Sequence, residues 1–487
     1  MHSPKRTDDD TSPWSPARLR AEGAAVVELL AAHLEQAQAR EAGPVMPRDS
    51  AVSLAARFPA VFTPDGDGAL LDHIARAVAS STQLHSPRFV GHQVATPLPS
   101  AALCDLVASF MNNGMAVFEM GPAATAMERA VLQWFTTLVG FPSTTSSGVL
   151  TSGGSLGNLT ALLAARQAQA KKIGFDAWRR GMKSGPQLVV FVAETAHYSL
   201  ARAARIMGLG DDGIVSVAVD DRLRMIPAAL ERAIADARKR KRSPIAVVAS
   251  AGSTAGGAID PLDAIADVCA REALWLHVDG AHGASLLLSD AHRAKLRGIE
   301  RADSIVWDAH KLMMMPALVT AVLFKDAAHG AGAFAQEAGY LFDDEDAGDD
   351  VGRRTVECTK RMMSLKLYAC LRSLGTRVFA DHVDRCCALA TSLAAKARAR
   401  GWAVLVEPEA NIVCFRPSLD GAPLDGGRVA AVRKRVLEDG RFYIVQLHWQ
   451  GALWLRCTLS QPLTTDTDLD ALLHLVADEV ALCSASS

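Results

Sequence analysis

Trp275-Leu276-His277-Val278-Asp279-Gly280-Ala281-His282 is an apolar run that stops on a carboxylate. A second run, Ser304-Ile305-Val306-Trp307-Asp308-Ala309-His310-Lys311, stops on an amine. Both are short and rich in β-branched or aromatic residues, the pattern of a strand covered on both faces. Leu188 to Val192 and Ile245 to Ser250 read the same way, and helical stretches such as Pro227 to Arg242 and Pro261 to Glu272 lie between them. Strands spaced by helices need crossover connections, so this region is expected to be α/β with a mainly parallel sheet.

Working outward, the alternation extends over residues 85–375, a large unit. Residues 1–84 begin with the polar stretch MHSPKRTDDDTSPWSP, a loose arm lacking the apolar core of a secretory signal. Helical spacing follows over Ala17 to Gln38 (Ala25, Val26, Leu29, Leu30, Leu34) and again over Leu70 to Ser80. Residues 376–487 change pattern: a long helix from Arg377, strands at Ala403 to Val406 and Ile412 to Phe415, then a helix, two strands and a last helix from Asp466. That order predicts a small α+β unit with an antiparallel sheet.

Composition narrows the function classes. Of 487 residues, 51 are Lys or Arg and 53 are Asp or Glu, so no global positive field favours a nucleic acid or an anionic membrane. The longest apolar run, Leu312 to Phe324, is interrupted by Pro316 and is too short to span a bilayer. The nine cysteines (Cys104, Cys269, Cys358, Cys370, Cys386, Cys387, Cys414, Cys457, Cys483) form no CxxC pair and no metal-ligand spacing. No metal is expected, and a reduced, cytoplasmic setting is.

Four segments carry candidate chemistry, and ligands in parallel α/β sheets sit where such strands end. Asp279 ends a strand, where a buried carboxylate needs a cationic partner, unless it only caps a helix. Lys311 is followed by Leu312 and three methionines, and an amine in apolar surroundings suits Schiff-base chemistry, unless it merely snorkels. Thr151-Ser152-Gly153-Gly154-Ser155-Leu156-Gly157-Asn158 opens a helix and could cradle a phosphate. The same letters match a G-x-S-x-G nucleophile elbow, a serine hydrolase using Ser155 with His282 or His310. His197 follows the strand around Val189 to Val192 and is a turn residue or a stacking imidazole. A phosphate cradle, a strand-end Asp, a reactive Lys and a flat imidazole are together the parts pyridoxal 5'-phosphate needs, whereas the hydrolase reading leaves Lys311 unexplained.

From His85 to the last helix the chain resembles the group II pyridoxal-phosphate decarboxylases, which act on glutamate, cysteine sulfinate, aromatic amino acids and diaminobutyrate. The resemblance rests on His85-Ser86-Pro87-Arg88-Phe89, Gly121-Pro122-Ala123-Ala124-Thr125, Gly153-Gly154-Ser155, Trp275 to Asp279, Asp308-Ala309-His310-Lys311, Leu455-Arg456 and Pro462-Leu463-Thr464-Thr465. The intervals of 32 residues from Asp279 to Lys311 and 29 from Lys311 to Tyr340 match as well. The resemblance implies a fold-type I enzyme, aspartate aminotransferase-like, with residues 85–375 binding the cofactor. It implies that Lys311 bonds the cofactor aldehyde, Asp279 meets the ring nitrogen and His197 stacks on the ring. Gly154, Ser155 and His310 would hold the phosphate, with Thr254 beside the ring. Tyr340 matches the family's lid tyrosine, which protonates Cα after CO2 leaves; a Phe there marks related aldehyde synthases. The expected activity is decarboxylation of an L-amino acid, within a homodimer whose sites lie at the interface.

For the substrate, the segments around Ala264 to Cys269, Gly339 to Phe342 and Phe118 to Pro122 look most like the glutamate and cysteine sulfinate branch. Arg456 falls where that branch meets a substrate carboxylate. His92, Gln93 and Asn112 to Met115 depart from the branch where selectivity would be set, so 2,4-diaminobutyrate and aromatic amino acids stay as alternatives. The acidic run from Glu337 to Asp350 is a solvated face or a lid.

Overall fold

The computed structural model describes residues 12–40, 43–334 and 349–485. Seven strands form the principal sheet: β1 (Ser147–Thr151), β2 (Leu188–Ala193), β3 (Ile214–Val217), β4 (Ser243–Ser250), β5 (Trp275–Asp279), β6 (Ser304–Asp308) and β7 (Thr320–Phe324). Their order is β1-β7-β6-β5-β4-β2-β3, with β7 antiparallel to both β1 and β6 and the neighbours from β6 to β3 parallel. The expected mainly parallel α/β sheet is therefore present. The sequence reading did not foresee β1, β3 or the reversal at β7, which lies inside the apolar run Leu312 to Phe324.

Alternation along these strands builds two cores. Val189, Phe191 and Ala193 of β2 pack into one layer with Phe135, Leu276, Val278 and Trp307. Leu188, Val190 and Val192 face the other, with Trp275, Val306 and Leu162. Because successive side chains point to opposite faces, a strand buried on both sides has to be apolar throughout. The two buried indoles find partners: Trp275 Nε1 donates to Ser304 Oγ and Trp307 Nε1 to Ser285 Oγ, each at 2.9 Å.

Toward the carboxyl end, β8 (Ala403–Val404), β9 (Ile412–Arg416), β12 (Val445–Trp449) and β13 (Ala452–Thr458) make an antiparallel sheet in the order β12-β13-β9-β8. A short ribbon, β10 (Ser418–Leu419) with β11 (Ala422–Pro423), lies beside it in sequence. Helices Arg377–Ala399, Gly426–Asp439 and Asp466–Ala485 complete the small α+β arrangement that the sequence predicts.

The His85-to-Phe89 motif is tied to this sheet. Gln461 Nε2 donates to His85 O at 2.8 Å, Thr464 Oγ1 to Pro87 O at 2.5 Å, and Thr458 N to Val90 O at 2.9 Å. That contact carries the segment bearing His92 and Gln93 to the side of Arg456. No described helix is long and apolar enough to cross a membrane.

Candidate active site

Five strands of the principal sheet, β1, β2, β4, β5 and β6, end at one cavity of about 290 Å³. Its lining includes Gly154, Ser155, Asn158, His197, Thr254, Asp279, Asp308, His310 and Lys311. Each arrives at a strand end, in the turn that follows it or on the next helix. The chain leaves β1 at Thr151, turns at Gly153 with φ +104°, and starts the helix Gly154–Lys172, so the amino end of a 19-residue helix opens at the cavity. Free amides and the positive helix end favour an anion there.

A side chain at 154 would crowd Asp308. A Cβ at this position would lie 2.9 Å from Asp308 Oδ2. The Ser155 hydroxyl has no hydrogen-bond partner among the described residues.

Asp308 is the buried hub of the lysine's surroundings. At 2% exposure it would be costly to leave unpaired. Its Oδ2 lies 2.9 Å from Lys311 Nζ, Thr320 Oγ1 donates to its Oδ1 at 2.5 Å, and His310 Nε2 stands 3.6 Å away. His310 Nδ1 is 2.9 Å from Val319 O. Burial holds the His310 pKa below its ordinary value, with Asp308 opposing that shift. His197 is likewise depressed, chiefly by burial, with Asp279 working against it. Asp279 accepts from Asn158 Nδ2 at 3.1 Å and from Ala281 N at 3.2 Å.

Of the residues singled out from sequence, Gly154, Ser155, His197, Thr254, Asp279, His310 and Lys311 line this one cavity. Arg456, on β13, stands to the side of it, near the cavity residue His282. His92 lies near Arg456, and its pKa is lowered by burial and then by Arg456 and Arg433. The Gln93 Nε2 is buried without a hydrogen-bond partner among the described residues. Tyr340 and most of the acidic run fall outside the described residues. Sequence reading gave no role to Asn158, Ser199, His277, Asp308 or Thr320; the one readable signal was an Asp three residues before the lysine.

The set fits pyridoxal phosphate. The glycine cradle at a helix amino end, with the Ser155 hydroxyl, suits the phosphate; Asp279 suits a protonated ring nitrogen; Lys311 suits the aldehyde; and His197 offers a flat face. The nucleophile-elbow reading lacks its base. Among the described residues no histidine nitrogen is hydrogen-bonded to Ser155, His282 Nε2 is held by Asn411 Oδ1 at 2.6 Å, and His310 Nδ1 is engaged by Val319.

Residues 57–418 match the pyridoxal-dependent decarboxylase conserved domain. The chain belongs to that family. It is a pyridoxal-phosphate-dependent carboxy-lyase of fold type I that acts on an amino acid. Among its relatives, cysteine sulfinic acid decarboxylase of Mus musculus is 34% identical over 425 residues, 83% of this chain and 84% of the relative. The mouse CSAD crystal structure superposes with a TM-score of 0.86 at 29% identity, covering 94% of this chain and 98% of that one. The Oryza sativa TDC structure with PLP and tryptamine superposes with a TM-score of 0.89 at 25% identity, covering 97% and 99%.

Proposed function

We propose that this decarboxylase acts on an acidic L-amino acid, cysteine sulfinate, glutamate or aspartate, and releases the corresponding amine and CO2. The observation that carries this reading is Arg456. Its side chain is 5% exposed, yet neither Nε nor Nη2 has a hydrogen-bond partner among the described residues. Burial depresses its pKa, as expected for a guanidinium removed from water without an anion. A buried unpaired cation beside the cavity calls for a carboxylate or sulfinate, which an Arg can bind bidentately. The Gln93 Nε2 and the Arg433 charge near His92 add donors rather than acceptors to this side. The cysteine sulfinic acid decarboxylase of Mus musculus, 34% identical, points the same way.

When bound, pyridoxal phosphate supplies an aldehyde for the substrate amine and a ring that accepts electrons from Cα. In this reading Gly154, Ser155 and His310 would hold the phosphate, and Asp279 would hold a proton on the ring nitrogen. His197 would offer its flat face to the ring and Thr254 would line the cavity beside it, while Asp308 keeps Lys311 placed at the cavity. Arg456, with His92 and Gln93 at its side, fixes the substrate so that its α-carboxylate can be lost. Tyr340 would supply the proton that Cα takes up.

The enzyme works as a homodimer in the cytoplasm. The dimer is supported by an uncovered apolar face on helix Pro99–Met111, where Leu106 is 57% and Phe110 68% exposed. The location is supported by the eight described cysteines, all free thiols.

The deciding experiment follows CO2 release from the purified enzyme with cysteine sulfinate, glutamate, aspartate, 2,4-diaminobutyrate and the aromatic amino acids, alongside Arg456→Met. The acidic substrates are expected to be turned over, with kcat/KM falling about a hundredfold in the variant, the loss of one buried charged contact of roughly 3 kcal/mol. Preference for diaminobutyrate or an aromatic substrate, or an unaffected Arg456→Met enzyme, overturns the reading.

A further inference from the structure

Alternation on β5 places Trp275, His277 and Asp279 on one face of the strand, the face turned toward helix Gly154–Lys172. Between them and that helix lies a fully buried polar chain. Asn158 is 1% exposed, His277 and Ser304 0%, and Ser199 2%.

The donors and acceptors in this chain can be assigned one after another. An ionised Asp279 only accepts, so the Asn158 atom 3.1 Å from its Oδ2 is the amide nitrogen. The other amide atom is then the oxygen, and His277 Nε2, 2.9 Å away, must carry a proton. Burial presses the His277 pKa down to about 4, so its ring is neutral at physiological pH and its Nδ1 is bare. That Nδ1 accepts from Ser304 Oγ at 2.9 Å, whose lone pair takes the indole N–H of Trp275, also at 2.9 Å. The nearby Ser304 carbonyl, 3.2 Å from Nδ1, is then a contact without a proton between.

The second Nδ2 proton of Asn158 goes to Ser199 Oγ at 3.1 Å. This leaves the Ser199 hydroxyl proton for His197 Nδ1 at 2.8 Å, which the Ser199 backbone N–H also approaches at 3.3 Å. With Nδ1 occupied as an acceptor, the proton of a neutral His197 sits on Nε2.

We propose that Asn158 is a positioning residue: its amide orients the Asp279 carboxylate and, through Ser199, fixes the Nε2–H tautomer of His197, so one side chain sets both groups that flank the cofactor ring. The proposal rests on the roles given above to Asp279 and His197, but the direction of the hydrogen bonds does not depend on them. A buried network with every member satisfied is stiff, and partners outside the ligand shell commonly change affinity or activity ten- to a hundredfold. Trp275 and His277 lie furthest from the cavity and hold the amide the right way round.

The test uses full-length holoenzyme labelled with 15N-histidine, read by two-bond N–H correlation spectroscopy, for wild type, Ser199→Ala, Ser199→Thr and Asn158→Asp. Wild type is expected to show His197 as the Nε2–H tautomer. Ser199→Ala should shift the Nδ1 resonance as its hydroxyl donor is lost, and Ser199→Thr should restore it. In Asn158→Asp the new carboxylate faces Asp279 and takes the Ser199 hydroxyl proton. His197 should then change as in Ser199→Ala, and fluorescence titration should show pyridoxal phosphate binding weakened about ten- to a hundredfold.

An Nδ1–H tautomer of His197 in wild type overturns the proposal. So do a Ser199→Ala spectrum identical to wild type and an Asn158→Asp protein with unchanged cofactor affinity. If Asn158→Asp does not fold, the Ser199 pair decides alone. A confirmed tautomer in an enzyme inactive on every amino acid would sink the functional reading while leaving this one standing.

Discussion

Moderate acid is expected to destabilise this protein before most of its carboxylates titrate. His277, His282 and His382 are 0%, 3% and 5% exposed, and burial pushes their pKa values to about 4, 3 and 4. In the unfolded chain each returns to about 6.5, so below that pH the unfolded state binds protons that the folded state refuses. Stability from these groups is fully present above about 6.5 and is lost as pH falls toward the folded values. At about 1.4 kcal/mol per pH unit, each contributes a loss of up to roughly 2 kcal/mol at pH 5, or about 6 kcal/mol for the three.

Asp260 works the other way. Fully buried, it accepts from Met225 N and Ser250 N, each at 2.7 Å, and its pKa is pushed up to about 6, so its contribution is lost as pH rises through that value. It returns roughly 1 kcal/mol on going from neutral pH to about pH 5. The net loss of about 5 kcal/mol is comparable to the whole stability of many domains. Urea unfolding of the full chain, followed by circular dichroism at pH 7, 6 and 5, should show a steep drop in midpoint. His382→Gln, whose target sits on helix Arg377–Ala399, should flatten the pH dependence by up to about 2 kcal/mol. Equal midpoints at the two extremes, or an unchanged slope in the variant, would refute the reasoning.

Two further outcomes can be stated. Gly154→Ala puts a methyl group 2.9 Å from Asp308 Oδ2, and overpacking of about 1–3 kcal/mol should weaken pyridoxal phosphate binding about ten- to a hundredfold in a fluorescence titration. Lys360→Met breaks the buried pair in which Nζ lies 2.6 Å from Glu128 Oε1, with side chains 0% and 4% exposed. Calorimetry should record a loss of about 3–5 kcal/mol, most of it recovered when Glu128→Leu is added, because the penalty is the stranded carboxylate.

What the sequence disclosed follows from how its signals arise. Asp279 ends an apolar strand, Lys311 stands just beyond one and the Gly153-Gly154 turn opens a helix, so a chemical group near the end of an element is visible in one dimension. The reversal at β7 is not visible, because burial on both faces gives the same apolar run whichever way a strand points. The hydrogen bonds of Asn158 were hidden for a different reason: its partners Asp279 and His277 lie 121 and 119 residues away, and only the closed sheet brings them together. Asp308 was nearer to hand. Its three-residue spacing from Lys311 could have suggested the pair, but the Thr320 hydroxyl that completes its shell comes from the strand whose direction was unreadable.

That same reversal bears on how Lys311 could be moved or copied. Asp308 and Thr320 are the last register pair between β6 and β7, and their side chains close the neck of the hairpin that carries Lys311. The connecting segment is anchored as well, with Met315 N bonded to Ala309 O and Lys366 Nζ to Pro316 O. The amine is therefore indexed to the ladder. A one-residue slip of β7 against β6 would turn the Thr320 hydroxyl to the opposite face and leave the carboxylate under the lysine half-satisfied. Grafting the His310-Lys311 loop alone onto another scaffold would transplant the amine without its ruler; the portable unit is the pair of strands.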